Sequence, residues 1–264
     1  MEEHPGSWLN ALVALEPEWL RPYLDVYVLH ALVIVAFLAL LAWLTTRRLS
    51  LIPRSKLQSF GEWVYEGLAG LTRSIIPHNG ERYTNILGTF FLFILCLNLF
   101  GLIPGFLSPT SRMVTTGALG IMSILLAQWV GLRANGLGYL RRWIPRMIGV
   151  PSFLIPFLFP LMFILHIIEE LVKPMSLAIR LFGNVFGDET SVTQFALLGA
   201  GFLGTLLNPT GASALVQVGG FLGLLLSVGI TAVMVSFAIF VAFIQALVFS
   251  ILSGAYLLFA LELE

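Results

Sequence analysis

The sequence predicts an all-α polytopic membrane protein with about five membrane-crossing helices and one amphipathic interfacial helix. Three observations carry this reading. The 264 residues are 58% hydrophobic and only 11% charged, against about 25% charged in ordinary soluble domains. A soluble domain of this size could not cover so apolar an interior with so little polar surface, whereas lipid accepts apolar surface directly; the mean hydropathy is +0.94. The apolar residues also gather into runs of about 20, the length a helix needs to cross a hydrocarbon core. Finally, most basic residues fall in two segments separated by two such runs, as the positive-inside rule requires of cytoplasmic loops.

Taken in order, residues 1–25 are acidic (Glu2, Glu3, Glu16, Glu18, Asp25) and lack the basic start of a cleavable signal or transit peptide. They are expected to face outside. A first span at 26–46 has its apolar run stopped by Arg47 and Arg48. Over 55–76, Leu57, Phe60, Val64, Leu68 and Leu71 recur at helical spacing among Lys56, Glu62, Glu66 and Arg73. That pattern reads as a helix lying on a membrane face. A second span at 84–103 ends at Pro104 and Gly105, in a turn-rich loop reaching Arg112. A third occupies 114–132. The segment 133–150 carries Arg133, Arg141, Arg142 and Arg146 and no acid, and with Arg47, Arg48, Arg54, Lys56, Arg73 and Arg82 it is assigned to the cytoplasm, as is the C-terminus.

Two long segments follow, 152–206 and 214–261, joined by the turn signal Asn208-Pro209-Thr210-Gly211. The second is uncharged from Ala214 to Ala260. As one helix it would be about 70 Å long, against a hydrocarbon core of about 30 Å. It is therefore either two upright spans or one strongly tilted helix, and the residues alone leave both open. The 14 basic and 14 acidic residues balance, so no charged surface for nucleic acid is expected. Cys96 is the one cysteine; inside an apolar run it reads as a small buried hydrophobe. No internal repeat, cofactor motif or metal-ligand cluster is evident, and neither cofactor nor metal is expected.

The chemistry lies in groups that a membrane segment should avoid. Ionisable side chains there cost about 2.5–3.5 kcal/mol each on insertion scales, yet 152–206 holds His166, Glu169, Glu170, Lys173, Arg180, Asp188 and Glu189. Lys173 can pair with Glu169 or Glu170 at helical spacing, and Pro174 can bend the helix. Arg180 differs: its guanidinium keeps its proton at any physiological pH, and no acid stands three or four residues away. Its charge must be met by another segment, another subunit or water. Ser176, Arg180, Gly183 and Gly187 share one helical stripe, and small residues let a partner helix come close. Glu189 lies about 13 Å beyond Arg180 along the axis and about 180° around it, and His166 about 21 Å the other way. Titratable groups thus flank a permanent charge, as two proton half-paths separated by a block would require. Gln245, the conspicuous polar residue of the last segment, reads by itself as interhelical glue.

The run Lys173-Pro174-Met175-Ser176-Leu177-Ala178-Ile179-Arg180-Leu181-Phe182-Gly183-Asn184 closely resembles the signature of subunit a of F-type ATP synthases. Ile244-Gln245-Ala246-Leu247-Val248-Phe249 resembles that family's last-helix motif, and Asn98-Leu99-Phe100-Gly101-Leu102-Ile103-Pro104 the end of its second span. Lys56-Leu57-Gln58 fits the start of its amphipathic helix. The matches run in order from about residue 55 to residue 256. The resemblance implies that the last two segments are long tilted helices forming a hairpin against a ring of c subunits, and that Arg180 faces the ring's carboxylate. It implies proton-path roles for Asn184 and Gln245 near the arginine or the outer half-channel, for Glu189 on the outer side and for His166 on the inner; Glu170 and Asp188 are further candidates. Many relatives carry a histidine or glutamate where this chain has Ala238, and an acid where it has His166.

On this reading the chain is no enzyme by itself. It is a proton-translocating stator subunit in a bacterial inner membrane, partnered by the c ring, the b-subunit peripheral stalk, the rest of the synthase and the lipid bilayer. A self-contained secondary transporter would be expected to show internal repeats, and a purely structural scaffold leaves the clustered ionisable groups unexplained.

Overall fold

The computed structural model describes residues 25–47, 55–77, 80–103, 105–136, 138–139, 155–207 and 214–261. These contain no strand. Their six α-helices are α1 (Val26–Thr46), α2 (Lys56–Ile75), α3 (Thr84–Phe100), α4 (Met113–Asn135), α5 (Ile155–Leu207) and α6 (Ala214–Leu261), with 3₁₀ turns at Gly80–Tyr83 and Pro109–Ser111. Most of the acidic 1–25 segment, Arg141, Arg142 and Arg146 of the basic loop, and the turn at 208–211 lie outside the described residues.

Four helical stretches, Val26–Thr46, Gly80–Phe100, Met113–Asn135 and Val216–Leu261, are long and apolar enough to cross a membrane. The chain is a membrane protein built of apolar helices. α5 stands apart because its ionisable residues interrupt its apolar runs. It nevertheless runs 53 residues without a break, with Pro160 and Pro174 inside it. α6 is likewise continuous over 48 residues, so the last segment is one long helix rather than two short ones. α3 stops at Phe100, short of the expected 103. There the chain tightens into a turn, with Leu102 N donating to Leu99 O at 3.2 Å and Ile103 N to Phe100 O at 3.0 Å. Gly101 permits the turn: a Cβ on it would stand 2.5 Å from Ser108 Cβ.

Backbone contacts divide the chain into two compact units, one from residues 1–34, 95–112 and 182–245 and the other from 35–94, 113–181 and 246–264. In the second unit, the core gathers Ile76, Leu87, Ala127, Tyr139, Leu257 and Ala260. α4 packs there by its small residues: Thr116, Gly120, Ser123, Ala127 and Gly131 are buried, while Met122, Leu125 and Trp129 are exposed. This inverts the soluble-protein rule, because lipid takes large apolar side chains and close helix contact needs small ones. Ser123 Oγ donates to Ser253 Oγ at 2.7 Å, and a Cβ on Gly120 would meet the Pro174 carbonyl at 2.7 Å. α4 ends at Asn135, followed by Gly136 at φ +57°, the left-handed residue that commonly closes a helix.

α2 opens on Ser55, whose side chain accepts from Gln58 N, an N-cap that satisfies one orphan donor. Gln58, Ala69 and Thr72 are its buried residues, whereas Leu57, Phe60 and Trp63 are exposed. The face packed on protein is therefore polar or small, and much of the apolar stripe is left outward. In the first unit, His30 is fully buried with its ring edge-on to Phe106 at 4.3 Å between centroids. Phe100 packs on the same Phe106 ring at 5.4 Å, seating the 101–112 loop on the start of α1.

Candidate ion-translocation site

Four of the residues singled out from sequence meet around one cavity. Asn184, Asp188 and Glu189 of α5 and Gln245 of α6 line it, together with Asn98, Ser108 and Ala238. The space within it open to the centre of a water molecule is about 30 Å³. Helical spacing explains the α5 set, since 184 and 188 are one turn apart. Asn184 Nδ2 donates to Gln245 Oε1 at 3.0 Å, pinning α5 to α6 by their two amides. Gln245 is only 3% exposed and Asn98 5%, yet Gln245 Nε2 and Asn98 Nδ2 find no hydrogen-bond partner. A buried donor left unpaired costs about 1–3 kcal/mol, so both amide nitrogens are poised to donate to a water oxygen. Asn98 is oriented from behind: Thr110 Oγ1 donates to its Oδ1 at 2.9 Å, and Thr110 is itself 2.8 Å from Ser108 Oγ. Ala238 gives the cavity a methyl wall.

Glu189 borders a second space as well. An open cleft on the same unit is lined by Tyr27, Ser111, Phe186, Glu189, Thr190, Thr193 and Gln194. The carboxyl of Glu189 thus lies between open surface and enclosed cavity. Arg112 pairs with Asp25 beside this cleft, and its guanidinium stacks over the Tyr27 ring at 4.5 Å.

In the second unit a different polar cluster surrounds Glu170. Lys173 Nζ lies 3.0 Å from Glu170 Oε1 and 3.1 Å from Glu169 Oε1. Gln128 Nε2 donates to Glu170 Oε2 at 3.3 Å, and Tyr139 OH donates to Gln128 Oε1 at 2.6 Å. Glu170 is 9% exposed and Glu169 64%, so Lys173 bridges one buried and one open carboxylate. Tyr256 borders the same pocket. His166 is half-buried.

Arg180 borders an open surface depression with Val172, Met175, Ser176 and Ile179. Among the described residues no carboxylate forms an ion pair with it. Ser176, Gly183 and Gly187 are all exposed, and a Cβ at either glycine would meet nothing within 4 Å. The small-residue stripe is bare.

Comparison with known proteins assigns the lineage. The family model described as ATP synthase A chain matches residues 27–258. The chain belongs to the ATP synthase A chain family. The ATP synthase subunit a of Moorella thermoacetica is 40% identical over 175 residues, covering 65% of this chain and 73% of that protein. That of Protochlamydia amoebophila is 33% identical over 239 residues, 90% of this chain and 80% of the relative. That of a Methylobacterium species is 33% identical over 239 residues, 89% and 86% respectively. The match spans every helix of the ATP synthase A chain fold described above, including both polar clusters and Arg180.

Reasoning on sequence passed over several members of these clusters. Ser108, Ser111 and Thr110 sit in a loop whose composition signals only a turn. Gln128 and Tyr139 lie 42 and 31 residues before Glu170, and no periodicity links them. Asn98 was visible as a lone amide near the end of an apolar run, the same signal that marked Gln245.

Proposed function

We propose that the chain is the stator subunit a of the F-type ATP synthase membrane sector, forming two proton half-channels against the c ring and coupling proton flow to ring rotation. Arg180 carries the reading. It is a permanent charge on an exposed, apolar, small-residue helix face, without a carboxylate partner among the described residues. A cation so placed calls for an anionic partner from outside the chain, and a carboxylate on a passing ring supplies one. Arg180 then stabilises the ionised ring carboxylate and, unable to give up its proton, blocks a direct leak.

The two polar clusters support the two half-paths. Glu189 lies beside Tyr27 and Ser111, which belong to the sequence regions that the charge rule places outside. Protons would reach Glu189 there and pass through the cavity of Asp188, Asn184, Gln245 and Asn98 to the ring. Glu170 is hydrogen-bonded to Gln128 in the helix that leads into the basic 133–150 loop, on the side assigned to the cytoplasm. With His166 it would receive protons leaving the ring. Each charge crossing yields about 2.3 kcal/mol per 100 mV. The sequence has no phosphate-binding P-loop pattern, so nucleotide chemistry belongs to other subunits, and this chain acts without catalysing a reaction itself. The c ring, the b-subunit stalk and the bilayer are its partners, in a bacterial inner membrane with the N-terminus outside, five crossings, α2 at the interface, and α5 and α6 as a tilted hairpin.

The test is proton pumping and ATP synthesis by the assembled complex in lipid vesicles. Arg180→Ala is expected to abolish both and to open a passive proton leak. Near-normal ATP-driven pumping by this variant would overturn the assignment.

A further inference from the structure

The outer path needs a mouth, and the open cleft beside Glu189 is where bulk water meets it. Among the described residues, Glu189 is the one charged residue lining that cleft; its neighbours there are polar or aromatic, among them Tyr27, Ser111 and Thr193. Directly after Ser111 comes Arg112, whose guanidinium lies over the Tyr27 ring at 4.5 Å. A full positive charge therefore stands at the rim of a passage whose cargo is also positive. Asp25, the residue preceding α1, pairs with that same guanidinium. The Arg112 and Asp25 side chains are 40% and 31% exposed, so any uncancelled charge would project its field into the water at the mouth.

On the reading of Glu189 as the outer relay, we infer that Asp25 neutralises Arg112 at the mouth of the outer path and so keeps proton uptake from being slowed by that cation. Arg112 has a structural use, fastening the 108–112 loop to the start of α1 through Asp25 and Tyr27. Its cost is electrostatic repulsion of hydronium, and Asp25 removes the cost while completing the fastening. Clefts lined by one sign of charge change the local concentration and arrival rate of an ion, and salt screens the effect. The Debye length falls from about 30 Å at 0.01 M to about 10 Å at 0.1 M, so the contribution of Asp25 is largest at low ionic strength.

The experiment uses the complete complex in lipid vesicles, energised with the outer side acidic, with ATP synthesis measured at low and high salt. Asp25→Asn is expected to slow synthesis about two- to tenfold at low salt, with most of the rate recovered at high salt. Arg112→Gln, which removes the cation from the rim, is expected to exceed the wild-type rate at low salt, and this arm decides the matter if Asp25→Asn fails to assemble. The double variant Asp25→Asn/Arg112→Gln lacks the pair but carries no net charge at the rim, and its rate should lie nearer wild type than that of Asp25→Asn. A double variant as slow as Asp25→Asn, or a slowing indifferent to salt, would reduce the pair to a fastening and overturn the inference. Glu189→Gln in the same vesicles separates the two claims. If it runs at the wild-type rate, the outer-path reading itself falls. If it is slow while Asp25→Asn and Arg112→Gln both match wild type at low salt, only the role of Asp25 falls.

Discussion

Lysine and arginine carry the same charge at neutral pH, but only lysine surrenders its proton readily when desolvated. Arg180→Lys is therefore expected to fail in coupled synthesis although it conserves charge, and preserved synthesis would argue for a plain counter-ion. Glu189 is open to a different substitution. Glu189→Gln keeps its size and loses the titrating group, so proton transfer through the outer path should fall about 10- to 100-fold, while the complex keeps its ring and its soluble part still hydrolyses ATP. Glu189→His should retain more activity, because imidazole also relays protons. Wild-type synthesis and pumping by Glu189→Gln from pH 6 to pH 9 would make Glu189 a mere helix charge. Such ionisable residues were legible in the sequence because membrane segments rarely tolerate them. The uncharged hydrogen-bonding residues were not: Thr110 behind Asn98 and Tyr139 behind Gln128 are ordinary residues in loops, and only the fold brings them near the site.

At the scale of the helix, α4 makes the same point. Its hydropathy marks a span, but apart from Leu119 the residues it buries are small ones. Gly131 is the sharpest case, since an added Cβ would stand 2.5 Å from the Tyr139 ring and 2.9 Å from the Ala260 carbonyl. The ring could shift but the carbonyl belongs to a packed helix, so Gly131→Ala should destabilise the subunit by about 1–3 kcal/mol. It should also disturb the Tyr139–Gln128–Glu170 chain. Lower recovery of intact complex and faster proteolysis would register the first effect; full recovery with normal stability would show that α4 yields. α6 shows where residue reasoning stopped. An uncharged run can be two spans or one long helix, because no local signal opposes continuity. Near the end of the helix Phe249, Leu257 and Ala260 are buried at helical spacing.

For the whole molecule, the distribution of basic residues predicts an orientation with the N-terminus outside. Cysteine labels at Ser7 and Glu264 should react from opposite sides of the membrane, and labelling from one side would refute the five-crossing topology. Residues from the start of α1, the 108–112 loop and the Glu189 region all fall in one compact unit, while α4's basic end, Lys173 and the end of α6 fall in the other. The sequence marked both groups as separate stretches of chain; their assembly depends on long-range packing that carries no local signature.

The two unpaired amides of Asn98 and Gln245 bear on how the protein answers to its surroundings. The cavity these amides line leaves about 30 Å³ to the centres of water molecules, where one water needs about 10–15 Å³, so it has room for about two. Transport through it then depends on the chemical potential of water. Sucrose, too large to enter, lowers that potential and would draw water out, so proton flux through the complex should decline as osmolality on the outer side rises at constant proton-motive force. Asn98→Leu, which removes one of the groups that hold water, should start slower and decline more steeply. Equal fluxes at all osmolalities in both proteins would mean that the passage runs without a continuous file of water.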